Sequence, residues 1–409
     1  MSKCLILNIV LIAIALVGVA SCSRDVRSLD ERMREALNDR LQQYDVKGAS
    51  ASVVLPDGSI HRIVAGFSHD TVAMKPHMLF AVGSITKNMV AAVVLQLAEE
   101  GSLSLEDPLK KWLPAYPKVD STVTIRQLLG HTSGVFMFWE NQKIWDDLIK
   151  YRDSVFTPEV VLTYLKDPHF APGKGFRYSN TNYLMLAKII TKATGSTLAA
   201  QLRRRFWQPL GLTNTYLSME EDIPRDRLAH VWGDNFEKGG AIRDLTFLPR
   251  ASHESITYGS SGVFATAEDL AVWCTSFFRG KILKTKSLEQ MLNFNPAAAG
   301  SWCEGYGLGV FLFKKNITNG ERVYGHGGGN IGTSAYMAYL PDYGVSIVVM
   351  INSMHGKCPD RMLEDIIEIV TEHLQTEKGQ KHEVARRTTT ASKGPFSTCV
   401  LLHIWSNET

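Results

Sequence analysis

The sequence predicts an α/β fold: a mostly antiparallel sheet built from both termini, flanked by helices, with a helical region set into its middle. Three observations point there. Strand–turn–strand patterning spans 49–65, strand patterning returns over 306–351, and the stretch from about 105 to 255 reads mainly as helices. Strands at the two ends with helices between them imply one sheet shared by both termini.

Ser28 to Tyr44 is charged and helical, with Leu29, Met33, Ala36, Leu37 and Leu41 three or four apart. Ala49–Leu55, the turn Pro56-Asp57-Gly58 and Ser59–Ala65 form a hairpin signature. Ser84–Glu100 reads as an amphipathic helix closed by Gly101. Gly130-His131-Thr132-Ser133-Gly134, Pro172-Gly173 and Pro209-Leu210-Gly211 punctuate the helical region. Strands then fall at Tyr306–Phe313, Arg322–Gly325, Ser334–Leu340 and Val345–Ile351, and Pro359–Leu374 is a final helix. From 376 to 409 the polar composition and the Thr388-Thr389-Thr390 run read as a disordered tail, and its apolar piece Phe396–Trp405 is too short to span a bilayer.

Composition narrows the function. The 44 Lys and Arg stand against 41 Asp and Glu, a net charge of +3. So even a balance excludes a strongly basic nucleic-acid binder and an acidic disordered chain. No C-x-x-C spacing occurs, and His253-Glu254 is not followed by the second histidine of a zinc helix, so neither a metal nor a redox site is expected.

Lys3 is followed by an apolar run from Leu5 to Ala20, shorter than the ~20 residues a spanning helix needs. A basic start, an apolar core and small residues before a cut site read as an export signal over 1–21. The run ends Val19-Ala20-Ser21-Cys22, which resembles the lipobox of bacterial lipoproteins. That resemblance implies a lipidated Cys22 as the new N-terminus, and a chain anchored in the cell envelope, in the periplasm or at the outer membrane. The alternative is a plain cleaved signal. Export allows disulfides, and Cys274, Cys303, Cys358 and Cys399 permit three pairings.

Three short motifs carry chemistry. Ser84-Ile85-Thr86-Lys87 opens a helix after Gly83, which puts Ser84 and Lys87 on one face with Cβ atoms about 5–6 Å apart. A serine needs a nearby base to become a nucleophile, and a desolvated amine can serve. Alone, the tetrapeptide also fits a capping serine followed by a surface lysine. Tyr178-Ser179-Asn180 offers a phenol and an amide that share a side if the segment is extended, or else an ordinary turn with a capping Asn. His326-Gly327-Gly328-Gly329 either lets a ligand lie against backbone N–H groups or is a flexible hairpin tip. It is not a dinucleotide loop, because a strand pattern and not a helix follows.

In this order the motifs resemble the serine β-lactamase and penicillin-binding-protein superfamily, specifically its class C β-lactamase and D-Ala-D-Ala carboxypeptidase-like serine hydrolases. Phe80-Ala81-Val82-Gly83, Thr124 through Gly134, Gly305-Tyr306-Gly307-Leu308-Gly309 and Tyr324-Gly325 extend the likeness over about 28–374. The resemblance implies a β-lactamase/transpeptidase-like fold over 22–375 and no cofactor. It implies Ser84 as the acylated nucleophile, with Lys87 and Tyr178 as the proton-transfer pair. Asn180 would orient the substrate amide, and His326, Gly328 and Gly329 would bind substrate. The N–H groups of Ser84 and Gly329 would form the oxyanion hole. The implied substrate is a D-amino-acid peptide (peptidoglycan-derived, for example), a β-lactam or a small ester. A penicillin-binding sensor that acylates without turnover is the alternative. Two departures bear on substrate. The third motif is the H-x-G version, and Val310 and Phe311 follow Gly309 where some carboxypeptidases of the group place an arginine shortly beyond.

If Cys22 anchors the chain, the Cys22→Ala protein should move from the detergent phase to the aqueous phase on detergent partition. Quantitative recovery of that variant in detergent would refute the anchor.

Overall fold

The computed structural model describes residues 27–234, 241–300, 303–353 and 358–391, with 380–391 as backbone only. The export signal, Cys22 and the end of the tail lie outside the described residues.

Ser28 starts helix α1 (Leu29–Tyr44) by accepting the Glu31 N–H, while Glu31 reaches back to the Ser28 N–H. This reciprocal cap satisfies two donors that would otherwise be unpaired. The helix buries Leu29, Met33, Leu37 and Leu41, the stripe its spacing predicts. The hairpin β1 (Gly48–Val54) and β2 (Ile60–His69) follows, with a short β3 (Val72–Ala73).

Helix α2 (Thr86–Glu99) was expected to be amphipathic. Instead it is buried almost all round, from Thr86 to Leu95 and again at Leu97. A helix apolar on every side belongs inside the molecule. Further helices fill the region to 256, with α3 (Asn180–Thr194) the longest among them. A small sheet joins Phe80–Ala81, Val263–Ala265 and Thr215–Leu217. Helix α4 (Ala267–Phe278) returns the chain to the main sheet.

The C-terminal strands are β4 (Cys303–Tyr306), β5 (Phe311–Phe313), β6 (Tyr324–Asn330), β7 (Thr333–Leu340) and β8 (Val345–Ile351). The expected single strand Tyr306–Phe313 is thus a hairpin, turned at Gly309 with φ of 82°. The eight-stranded sheet has the order β3-β2-β1-β8-β7-β6-β5-β4, every neighbour antiparallel. The two termini meet at its centre, where Ala51 pairs Val349.

Both faces of β8 are covered, and its side chains alternate between two cores. Val345, Ile347, Val349 and Ile351 pack with α1 and the last helix, α5 (Cys358–Ala391), whereas Val348 and Met350 join the core that holds α2 and α4. Helix α5 runs on beyond Leu374 to Ala391, into the stretch whose composition reads as a tail. Glu, Lys, Gln, Ala and Arg there are strong helix formers that continue an established helix. Cys274, Cys303 and Cys358 are all buried free thiols.

Leu37 is fully buried under the sheet. Leu37→Ala should destabilise the fold by about 2–5 kcal/mol in urea unfolding, and a loss under about 1 kcal/mol would mean that α1 is not part of the cooperative core.

Candidate active site

The chain turns inward after Phe80-Ala81. Gly83 takes the left-handed conformation at φ 56°, and a short 3-10 turn, Gly83–Ile85, carries Ser84 into α2. A Cβ on Gly83 would stand 2.5 Å from Gly329 O and 2.6 Å from Gly329 N, and a Cβ on Gly328 would stand 2.0 Å from Val82 O. Only glycines allow this approach of two backbones. Thr86 Oγ1 donates to Gly83 O at 2.8 Å and accepts the Val263 N–H at 3.2 Å, while Thr333 Oγ1 donates to Ala81 O at 2.9 Å. These bonds tie the serine turn to the strand Val263–Ala265 and to β7.

Asn330 and Thr333 close the β6–β7 hairpin as a pair. In an antiparallel ladder bonded and non-bonded pairs alternate, so Gly329 and Gly327 direct their N–H groups away from β7. The glycines therefore form an ordered strand edge next to Ser84 and not a flexible tip.

Lys87 is fully buried, which excludes the surface-lysine reading. Its Nζ lies 2.9 Å from Ser84 Oγ and 2.8 Å from Ser260 O, with the Tyr178 and Tyr183 ring centroids at 4.9 and 5.6 Å. Among the described residues no carboxylate forms an ion pair with it. Burial alone pulls the amine well below the ordinary lysine value. A neutral amine can donate to Ser260 O and turn its lone pair toward the Ser84 hydroxyl.

Burial raises the Tyr178 phenol above the usual range, while the nearby Ser84 hydroxyl works the other way. Ser84 Oγ is thus flanked by an amine and a phenol. Asn180 is different. Helix α3 begins at Asn180, with Ser179 as its extended N-cap, so Tyr178 and Asn180 do not share one extended segment. Asn180 Oδ1 is buried without a partner, and the residue does not line the cleft.

His326 is 1% exposed and has both ring nitrogens engaged: Nδ1 faces Gly327 O at 2.6 Å and Nε2 faces Tyr306 Oη at 3.3 Å. A carbonyl only accepts, so Nδ1 carries the proton and Nε2 accepts from the phenol. Burial, with Lys87 nearby, brings its pKa down to about 3. The ring is neutral and serves the strand before it can serve a ligand.

A cleft of about 420 Å3 opens over Ser84, lined by Tyr178, His326 and Gly327–Gly329, with Phe176, Phe311 and Tyr336 as apolar walls. A larger cavity, of about 850 Å3, includes Ser255 and Lys188, but Ser255 donates to Ala251 O and Lys188 is paired with Glu159. The catalytic arrangement is at the smaller one. Phe138 is fully buried in the core and Trp139 packs on Trp145, so neither lines the cleft. Sequence reasoning missed Tyr306, Tyr183 and the Ser260 carbonyl, and placed His131 only in a punctuating turn. The Gly305–Gly309 run was the available signal for Tyr306.

Residues 32–371 match the beta-lactamase family. The chain belongs to that family. Among curated beta-lactamase relatives, a penicillin-binding protein of Bacillus subtilis (strain 168) is 27% identical over 343 residues, 80% of this chain and 71% of that protein. A D-aminopeptidase of Brucella anthropi is 27% identical over 325 residues, 77% of this chain but 58% of the relative, so the chain spans little more than half that enzyme's length. A solved D-stereospecific amidohydrolase from Streptomyces sp. superposes with a TM-score of 0.72 at 26% identity, covering 81% of this chain and 97% of that one. The D-amino acid amidase of Ochrobactrum anthropi SV3 shares the fold at a TM-score of 0.75 and 24% identity, over 84% and 99% of the two chains.

The buried amine gives a pH signature in this beta-lactamase fold. Its folded-state pKa is depressed, so the unfolded chain binds more protons between the folded and unfolded values, and stability rises with pH across that window. Lys87→Met removes the cost of deprotonation. The variant should be the more stable protein near neutral pH, with the gap narrowing as pH approaches the free lysine value of ~10.4. Denaturant unfolding at several pH values measures this, and a pH-independent gap would contradict it.

Proposed function

We propose that the chain is a serine hydrolase that forms an acyl-enzyme on Ser84 and hydrolyses an amide or ester, such as a D-amino-acid amide, a D-amino-acid peptide or a small ester. One observation carries the reading: Ser84 Oγ lies 2.9 Å from the Nζ of a fully buried lysine, whose amine burial pulls well below its ordinary pKa. Similarity to a D-aminopeptidase and to a D-stereospecific amidohydrolase supports the amide class. The apolar walls Phe176, Phe311 and Tyr336 support an apolar acyl group.

In the proposed reaction, Ser84 Oγ attacks the substrate carbonyl while its proton passes to Lys87 or Tyr178. The N–H groups of Ser84 and Gly329 hold the oxyanion of the tetrahedral intermediate. The same proton then goes to the departing amine or alcohol, leaving an ester on Ser84. Water, deprotonated by the same pair, breaks that ester and returns the hydroxyl. Export and a lipid anchor on Cys22 belong to the reading, and their support is the amino-terminal sequence alone.

Intact-protein mass spectrometry with an activated ester or a fluorescent penicillin tests it. One acyl group should appear on the peptide that contains Ser84 and none on Ser84→Ala. Lys87→Ala and Tyr178→Phe should acylate on the order of 10²–10⁴ times more slowly while remaining folded. Label that persists in Ser84→Ala would overturn the assignment, and an adduct that never turns over on any ester or D-amino-acid amide would favour a sensor.

A further inference from the structure

His131 is held at two points by the segment that carries Tyr178. Its carbonyl accepts the Arg177 N–H at 3.0 Å, and its ring Nδ1 accepts the Ser179 N–H at 3.1 Å. The residues on either side of Tyr178 are therefore fastened to one residue. The His131 ring itself lies against the Tyr178 ring, with centroids 4.3 Å apart. Asn182, on the first turn of α3, also places its Nδ2 3.1 Å from Nδ1, and its Oδ1 is fixed by the Ser133 hydroxyl at 2.8 Å.

The arrangement has costs that a loop brace would not require. His131 adopts φ of 56°, a region in which non-glycine residues are uncommon and Asn, Asp and His are enriched. A backbone N–H only donates, so Nδ1 must be the bare nitrogen and the proton must sit on Nε2. Nε2 is buried without a hydrogen-bond partner. A buried donor left open is unfavourable, and it is retained here together with a full complement on Nδ1. Backbone twist and tautomer both serve the same end, the grip on residues 177 and 179.

We propose that His131 is the positioning residue for Tyr178, a clamp whose carbonyl and Nδ1 fix the phenol beside Ser84 without touching substrate. The inference rests on the acyl-enzyme reading of Ser84 and Tyr178. It is separable from it, because Ser84→Ala decides that reading and the variants below decide the clamp.

Asparagine places Oδ1 where histidine places Nδ1 and tolerates the left-handed backbone, so His131→Asn keeps the clamp. His131→Phe keeps the ring face and loses the acceptor. His131→Phe is expected to lower kcat on the order of 10–100-fold with KM within about twofold, and His131→Asn to stay within about threefold of wild type. In a Tyr178→Phe background, His131→Phe should cost less than about twofold more, because its effect runs through the phenol. Equal losses for Asn and Phe, an unaffected Phe variant or fully additive losses with Tyr178→Phe would each overturn the proposal. Should His131→Phe not fold, 15N-histidine NMR of the wild-type protein, with the signal assigned by its loss in His131→Asn, decides the point: a bare Nδ1 and protonated Nε2 near neutral pH are required, and a protonated Nδ1 overturns it.

Discussion

An amine removed from water is the constraint on which the rest of this structure depends. Among the described residues a charged ammonium at the position of Lys87 would have no carboxylate to balance it, and burying an unpaired ion costs far more than giving up the proton. The group therefore stays neutral, and a neutral amine has a lone pair to offer Ser84. For this to hold, water and countercharge must be kept away from every side. That explains why the start of α2 is enclosed, and why Tyr178 and Tyr183 present ring faces to Nζ. It also explains the turn that supplies the Ser260 carbonyl. Gly259 at φ 75°, with Ser260 and Ser261 both donating to Thr257 O, fixes that carbonyl where the amine needs an acceptor.

The second requirement is that the serine turn meet the sheet with no side chains between. Glycines 83 and 328 are needed at a contact between two backbones, and the bonds through Thr86 and Thr333 tie the turn to strands on either side of it. The order of the sheet follows from the same need. The strands from the two ends of the chain pair at its centre, so β6 is carried by a rigid, doubly covered layer. An oxyanion site made of backbone N–H groups requires such rigidity, because its geometry cannot be adjusted by a rotamer.

Much of this was legible from sequence, for identifiable reasons. Helix α1 and the strands β1, β2, β7 and β8 follow short-range periodicity, and that is what a pattern reads. Ser84 and Lys87 are three apart on one helical face, so their meeting is local. Tyr178 and His326 were placed by resemblance and by order along the chain, since nothing local says that they converge on Ser84. The residues that were missed are those whose roles exist only through long-range contact. Tyr306 meets His326 across the sheet, Ser260 acts through a carbonyl that carries no side-chain signature, and His131 reaches Ser179 from a loop 48 residues away in sequence. Asn180 falls outside the extended run that the spacing assumed, because Ser179 as N-cap makes it the first residue of α3. The run of α5 past Leu374 was not legible, because polar composition suits a solvated helix as well as a disordered chain.

The histidine of the third motif follows the same logic of neutrality. A lysine there would place a second ammonium close to Lys87, and a cation on β6 would attract a carboxylate on the substrate. His326 does neither. Its Nδ1 proton is held by Gly327 O, its Nε2 by Tyr306, and burial with Lys87 nearby keeps the ring uncharged at any pH at which the protein would work. Two groups that could have been cations are both neutral, each in a different way: the amine by desolvation, the imidazole by a closed pair of hydrogen bonds as well. The strand edge beside Ser84 then offers backbone N–H groups where charge could have stood. An edge of that kind stabilises an oxyanion that develops during attack more than a charge already present in the ground state, and such differential stabilisation is what accelerates acyl transfer.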